Sequence, residues 1–379
     1  MDGQQRPEVD WDPRSEAVTR DQRAAYDEMR ERCPVAYSEF MQWSIFRHAD
    51  VMRVLLDHDT FRNAVSEHVS VPNGMDPPQH TIYRRLIDRY FTPDRMALFE
   101  PCCRAIASEL VGDALGKPRL ECMSDLALPY AVRLQCAFLD WPEALHGRLV
   151  AWTHANHAAT LAQDRPAMAA IAQEFESLIG ELLAAGGGGI MAELAGERVG
   201  DRALNLPEIA SILRNWTVGE IGTISASVGI LIHYLAEHPD IQSRLRGEPG
   251  LLTAANDEIL RIHGPLVANR RLTSRSVEIG GRRIGAGERI TIHWMSANRD
   301  PRVFPEPDEF RLDRDSSKNL LYGAGIHVCP GAPLARLELR VLMEELLGRT
   351  EGIAVIAGQP AENAIYPASG YSVLPVKMG

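Results

Sequence analysis

Tyr322-Gly323-Ala324-Gly325-Ile326-His327-Val328-Cys329-Pro330-Gly331-Ala332-Pro333 decides how the rest of the chain is read. Leu334, Leu337, Val341 and Leu342 follow at i, i+3, i+7 and i+8, the spacing of an apolar helix face. Pro333 suits a first helical turn. Cys329 therefore sits on a glycine-rich turn ahead of a helix N-terminus. There the dipole and free backbone N–H groups favour a thiolate. The glycines permit left-handed backbone and close approach to a flat ligand. A thiolate with no side-chain bulk around it is suited to an axial bond to iron.

A lone cysteine on such a turn reads equally as a buried structural residue. The pattern Gly-x-Gly-x-His-x-Cys-x-Gly narrows the choice, because at ordinary glycine usage its three glycines alone match at about three positions in ten thousand. The segment resembles the haem-binding loop of the cytochrome P-450 family, with Tyr322 where phenylalanine is usual. The resemblance implies a mainly α fold with small β-sheets, the cytochrome P-450 fold, built around one haem b. Cys329 is then the ligand of the haem iron, and Gly323, Gly325 and His327 belong to the cofactor cradle.

Composition sets the outer limits. The 379 residues are 45% hydrophobic and 24% charged, with a formal net charge of −11. That charge argues against a nucleic-acid partner. Length alone allows two or three domains; the resemblance runs through nearly the whole chain, so residues 1–379 are expected to form a single haem domain with an N-terminal α+β cap. The polar, acidic start lacks a signal pattern, and no apolar run reaches the 18 or so residues of a membrane span, so a cytoplasmic protein is expected. Six cysteines show neither zinc spacing nor C-x-x-C, and a reduced state is expected for all.

Along the chain, helices are expected near Ala24–Arg32 and His48–Asp57, with short strands at Val35–Ser38 and Trp43–Phe46. The region 63–78 reads as loop, short where the family places a lid. After Pro77-Pro78, His80 and Arg84 lie four apart on one helix face. Alone they are a basic patch; in the family such a pair holds a haem propionate, and both roles are carried over. Arg85 and Arg89 point elsewhere, toward a redox partner. Residues 97–185 read as amphipathic helices. Among them His154 and His157 could line a pocket, lie at the surface or pair on a metal. Gly186–Gly189 reads as a flexible joint.

The longest helical stretch, Ile209–Ala236, contains Gly219 and Gly222, each costing about 1 kcal/mol against alanine in a helix interior. Such a cost fits close packing or local opening. The stretch is similar to the family's central helix, which crosses the oxygen-binding side of the haem with an acid–alcohol pair for proton delivery. Thr223 takes the alcohol position, but the acid position is Gly222. Glu220 is the nearest carboxylate on that face, and Glu220 with Thr223 is the expected proton route. Asn215, Val218 and Gly219 are expected in the substrate pocket.

Glu258 and Arg261, spaced for an ion pair, match the family's structural Glu-x-x-Arg, with Arg314 in the Phe304–Arg314 loop as its third member. Family position assigns Arg271 to the second propionate and Leu266, Val267 and Asn269 to the pocket wall. The tail 352–379 reads as short strands, with a turn at Ala368-Ser369-Gly370 reaching the pocket.

The resemblance implies a monooxygenase acting on a small organic substrate by hydroxylation or O-dealkylation, with electrons from NAD(P)H delivered by a ferredoxin or a flavin/iron–sulfur reductase. Two stretches, Val71–Pro78 and Asn215–Glu220, look most like the haem domains of self-sufficient bacterial members whose reductase is fused behind; no fused reductase is expected within these residues, which leaves either a stand-alone protein with separate electron donors or an isolated domain. The departure at Gly222 leaves open an atypical haem-thiolate chemistry (oxidative coupling, nitration or peroxide-driven oxidation), and a non-catalytic haem-binding sensor is a further alternative.

Overall fold

The computed structural model describes residues 7–65 and 69–379. The molecule is organised by one helix, Leu206–Glu237, of 32 residues. Its start is fixed chemically. The Asn205 side chain accepts from the Glu208 amide while the Glu208 carboxylate accepts from the Asn205 amide, each at 2.9 Å, a reciprocal capping box. Pro207 occupies the first turn, and Pro239 after His238 closes the far end. The helix is long and apolar enough to cross a membrane, but 67% of its apolar window is buried inside the protein. It is a core helix.

Around it pack Leu128–Leu139, Arg165–Ala184, Leu252–His263 and Ala332–Arg349. The last, which follows Cys329, lies along the long helix Pro93–Leu115. Leu337, Val341, Leu342 and Leu346 of this helix are in the main apolar core, as their spacing predicts.

The main sheet has five strands in the order Val35–Ser38, Gln42–Ile45, Arg289–His293, Ala268–Thr273 and Phe61–Arg62. Strand Arg289–His293 pairs in parallel with Gln42–Ile45, Ile290 opposite Trp43. It pairs antiparallel with Ala268–Thr273, Ile290 opposite Arg271. This register places Arg271 beside the Cys329 loop. Val277–Ile279 and Arg282–Ile284 form the expected hairpin, turning at Gly280 and Gly281, both with positive φ. All six cysteines are free. Among the described residues of 63–78 there is no helix.

The glycine run differs from expectation. A Cβ on Gly188 would lie 2.7 Å from Asp140 Oδ2, and one on Gly189 2.6 Å from Asp140 Cβ. These glycines allow two helix ends to approach closely; the run is a packing device rather than a free joint.

The Glu258, Arg261 and Arg314 network forms as expected. Arg261 donates Nε to Glu258 Oε2 at 2.8 Å and Nη2 to Oε1 at 2.9 Å. Arg314 Nε adds a third bond to Oε1 at 2.9 Å. Arg261 also reaches the carbonyl of Asn298 at 2.8 Å, and Asn298 Oδ1 accepts from the Leu320 amide at 2.7 Å. The buried ion pair is thereby tied to the segment that enters the Cys329 loop.

Candidate active site

The loop Leu321–Gly331 is shaped by its glycines. Gly323 and Gly325 have φ of 75° and 71°, a region that costs other residues about 1–2 kcal/mol. A Cβ on Gly325 would stand 2.5 Å from the Leu55 carbonyl oxygen, so backbone packs directly on backbone there. The Cys329 amide donates to the Tyr322 carbonyl at 2.8 Å and closes the loop. Arg84 locks it from outside, bonding the carbonyls of Ile326 (3.3 Å) and Val328 while its Nε pairs with Asp88 at 2.6 Å.

Cys329 is enclosed by protein, and burial pushes its thiol up, yet its side chain is accessible. It is therefore crowded by protein and still open on one side. The amides of Gly331 and Ala332 pull in the expected direction, toward thiolate, but burial outweighs them. The helix N-terminus alone does not hold a thiolate here; a bound cation would be needed. The central helix also has an accessible stretch in mid-span. Val218 is 37% exposed and Gly219 is exposed in mid-helix, flanked by fully buried Thr217 and Ile221. Glu220 beside them is close enough to raise the Cys329 thiol further.

On a second side, His80 and His327 face each other with ring centroids 4.2 Å apart. The Nε2 of each is buried without a partner among the described residues. Burial, His80 and Arg271 push His327 down to about 3, and burial followed by Arg84 lowers His80. Arg271, 7% exposed, bonds only the Arg270 carbonyl, and burial brings it down to about 10. Three donors, His80, His327 and Arg271, thus lie together with too few acceptors, an arrangement whose missing complement is anionic. Haem b, a flat macrocycle with two propionates, would supply that charge, and Cys329 would supply the ligand to its iron. The residues present fit the group.

The structure redirects two expected pocket residues, Asn215 and Val267. Asn215 Nδ2 donates to the Val71 carbonyl at 3.0 Å. Ser211 and Arg214 on the same face hold Val69 at 3.0 and 2.8 Å. This face grips the 69–71 segment rather than a substrate. Val267 is fully buried, packed with Trp11, Tyr26, Phe46 and Met295 in a separate apolar cluster, with no accessible side to offer a substrate. Asn269 is exposed on strand Ala268–Thr273, on the same face as Arg271. Leu266 stays half-buried at the edge of the sheet's apolar cluster.

Thr223 Oγ1 donates to the Gly219 carbonyl one turn back and remains accessible. Glu220 Oε1 is buried without a donor, within hydrogen-bonding reach of Glu338 on helix Ala332–Arg349. Both Glu338 oxygens are likewise buried and undonated. Burial, with Glu220 beside it, drives Glu338 well above the carboxylate range, and burial raises Glu220. The pair therefore retains at least one proton at neutral pH. Sequence reading passed over Glu338, although a signal existed: it interrupts the apolar series Leu334, Glu338, Leu342 at i, i+4, i+8.

Fold and site together describe a haem-thiolate protein. The Cytochrome P450 family profile matches residues 188–351. The chain is 31% identical over 341 residues to the erythromycin C-12 hydroxylase of Saccharopolyspora erythraea, covering 85% of each. It is 32% identical over 355 residues to the nocardicin C N-oxygenase of Nocardia uniformis subsp. tsuyamanensis, covering 87% of each. A solved structure of an EryK mutant with erythromycin B superposes at a TM-score of 0.86 and 29% identity, covering 95% of this chain and 97% of that one. The chain belongs to the cytochrome P-450 family, as a monooxygenase that uses haem b.

Proposed function

We propose that the chain folds as one cytoplasmic haem domain that hydroxylates or O-dealkylates a small, largely apolar substrate. Electrons from NAD(P)H would arrive through a separate ferredoxin or flavin/iron–sulfur reductase. The observation that carries this reading is Cys329, accessible on its glycine-shaped loop and close enough to Glu220 of the central helix to feel its charge. Small aromatic or ether compounds are the substrate class proposed, on the likeness of Val71–Pro78 and Asn215–Glu220 to self-sufficient haem domains.

When bound, the haem supplies dioxygen activation and oxygen insertion. Cys329 would hold its iron. His80, Arg84, Arg271 and His327 would hold its propionates, and Gly323 and Gly325 let the loop lie close beneath it. Val218, Gly219 and Leu266 offer an apolar wall that orients substrate and excludes water. Thr223 presents a hydroxyl whose proton is parked on the Gly219 carbonyl and whose lone pairs stay free to accept another. Glu220, one turn away, keeps a proton with Glu338 because neither carboxyl has a cation beside it. It is thus a donor at neutral pH rather than a bare carboxylate.

The test is the absorption spectrum of the dithionite-reduced protein under carbon monoxide, wild type against Cys329→Ser. A strongly red-shifted Soret band lost in the variant is the expected result. A histidine-like band in the wild type would overturn the reading.

A further inference from the structure

The central helix has glycine where a proton-delivering acid was expected, and something else occupies that space. A Cβ built on Gly222 would lie 3.7 Å from His157 Nε2 and 4.0 Å from its Cε1, and it meets nothing else. His157 belongs to helix His146–Ala162, which crosses the central helix. It is half-buried. His154, one turn earlier on the same helix, is exposed. The two lie close enough to influence each other electrostatically. A ladder of imidazoles therefore runs from solvent to the backbone of Gly222, and Thr223 is the next residue.

We propose that His157 stands in for the absent acid at position 222, taking protons from solvent by way of His154 and passing them toward Thr223. This rests on the haem-thiolate reading above. The step is neutral in protons: the ring accepts one at Nδ1 as it releases one from Nε2, the nitrogen nearest Gly222. No electron moves and no bond other than N–H changes. Imidazole suits the task because its two nitrogens can be loaded from opposite sides. Burial, and then His154, lower its proton affinity, so it is neutral and ready to accept at pH 7. His154 is the one titratable group that shifts it; Glu220, on the central helix, turns its carboxyl toward Glu338. A bulkier residue at 222 would press on the ring, which gives the glycine a reason.

The direct test is proton NMR of the reduced, CO-bound holoenzyme, with the His157 ring signal identified by its loss in His157→Gln. In the wild type the ring should titrate below free histidine. Gly222→Asp places a carboxylate against Nε2 and should raise that midpoint by about 1–2 pH units. An unmoved midpoint would mean the ring does not face position 222, and the proposal fails. The second readout is NAD(P)H oxidation with anisole as probe substrate and a surrogate ferredoxin system. His157→Gln should raise the share of oxygen released as peroxide several-fold and change the solvent deuterium isotope effect, and adding Gly222→Asp should restore both. Unchanged values in His157→Gln would overturn the relay. A normal red-shifted CO band in every variant separates that failure from failure of the haem-thiolate reading.

Discussion

Glu258→Gln should be among the most destabilising single changes available in this chain. The Glu258 side chain is 7% exposed and answers two guanidiniums, Arg261 at 1% and Arg314 at 9%. Three hydrogen bonds of 2.8–2.9 Å converge on its two oxygens. Glutamine keeps the shape but removes the charge, and its NH2 group opposes a guanidinium donor. Breaking a buried pair from one side costs about 3–5 kcal/mol, because the remaining charge stays buried. Against a usual total of about 5–15 kcal/mol, that is roughly a fifth of the stability or more. The assay is urea unfolding of wild type and variant, with Glu31→Gln as the control. Glu31 pairs with Arg302 at 2.8 Å, but both side chains are about half exposed, and such pairs contribute roughly 0–1 kcal/mol. The variant should also lose part of its red-shifted CO band, since Arg261 bonds Asn298 and Asn298 holds Leu320 at the entrance to the cysteine loop. A loss under 1 kcal/mol would refute the reasoning. It would mean that the carbonyls of Asn298 and Pro307, 2.8 and 2.9 Å from Arg261, suffice without the carboxylate.

Two further outcomes follow from the site. Gly325→Ala puts a methyl group at a positive φ and 2.5 Å from the Leu55 carbonyl oxygen; it should cost about 2 kcal/mol or more and lower haem occupancy, read as the Soret-to-protein absorbance ratio. Glu220 and Glu338 both hold their protons more tightly in the folded chain than when unfolded. The folded state therefore binds more protons than the unfolded one, and their contribution to stability falls as pH rises from the carboxylate range through neutral. Glu220→Gln should flatten that decline, making the variant more stable than wild type at pH 8 and least different at pH 4; parallel pH–stability curves would exclude the carboxyl pair as its source.

What could be read from the sequence depended on whether a residue's role is set locally. Cys329, Gly323 and Gly325 act through loop backbone, and their spacing encodes that geometry. Glu258 and Arg261 are one helical turn apart, so periodicity alone makes them neighbours. Asn215 shows the limit. Its position on the central helix is as expected, but which way that face points depends on the 69–71 segment, more than 140 positions away in the chain. Val267 failed for a related reason. It lies just before strand Ala268–Thr273, where no periodicity sets its direction, and the packing of Trp11 and Met295 draws it into the core. The Gly186–Gly189 run was misread because glycine serves both mobility and close approach. Asp140, which decides between them, is remote in sequence.

Unpartnered buried polar atoms occur in several parts of the fold, and one set of them bears on the site. Buried polar groups in folded proteins are nearly always paired, and leaving one unpaired costs about 1–3 kcal/mol. Here His80, His327, Glu220 and Glu338 all break that rule within the region between the central helix and the cysteine loop. Two separate electrostatic needs are involved. The histidines, with Arg271, lack an anion, and they lie beside the sheet and the loop. The carboxyls lack a cation, and they lie between the central helix and the helix that follows Cys329. If these were random packing faults, the opposite charges could have relieved one another by small rotations. They are instead held apart on different elements, each fixed by its own contacts: Arg271 by the strand register, Arg84 by Asp88 and the loop carbonyls, Glu338 by the apolar stripe on either side of it. The chain thus spends stability to keep donors where two propionates would sit and a shared proton where one would be needed. That separation is what a site built for an anionic, flat, metal-bearing group and a supply of protons requires.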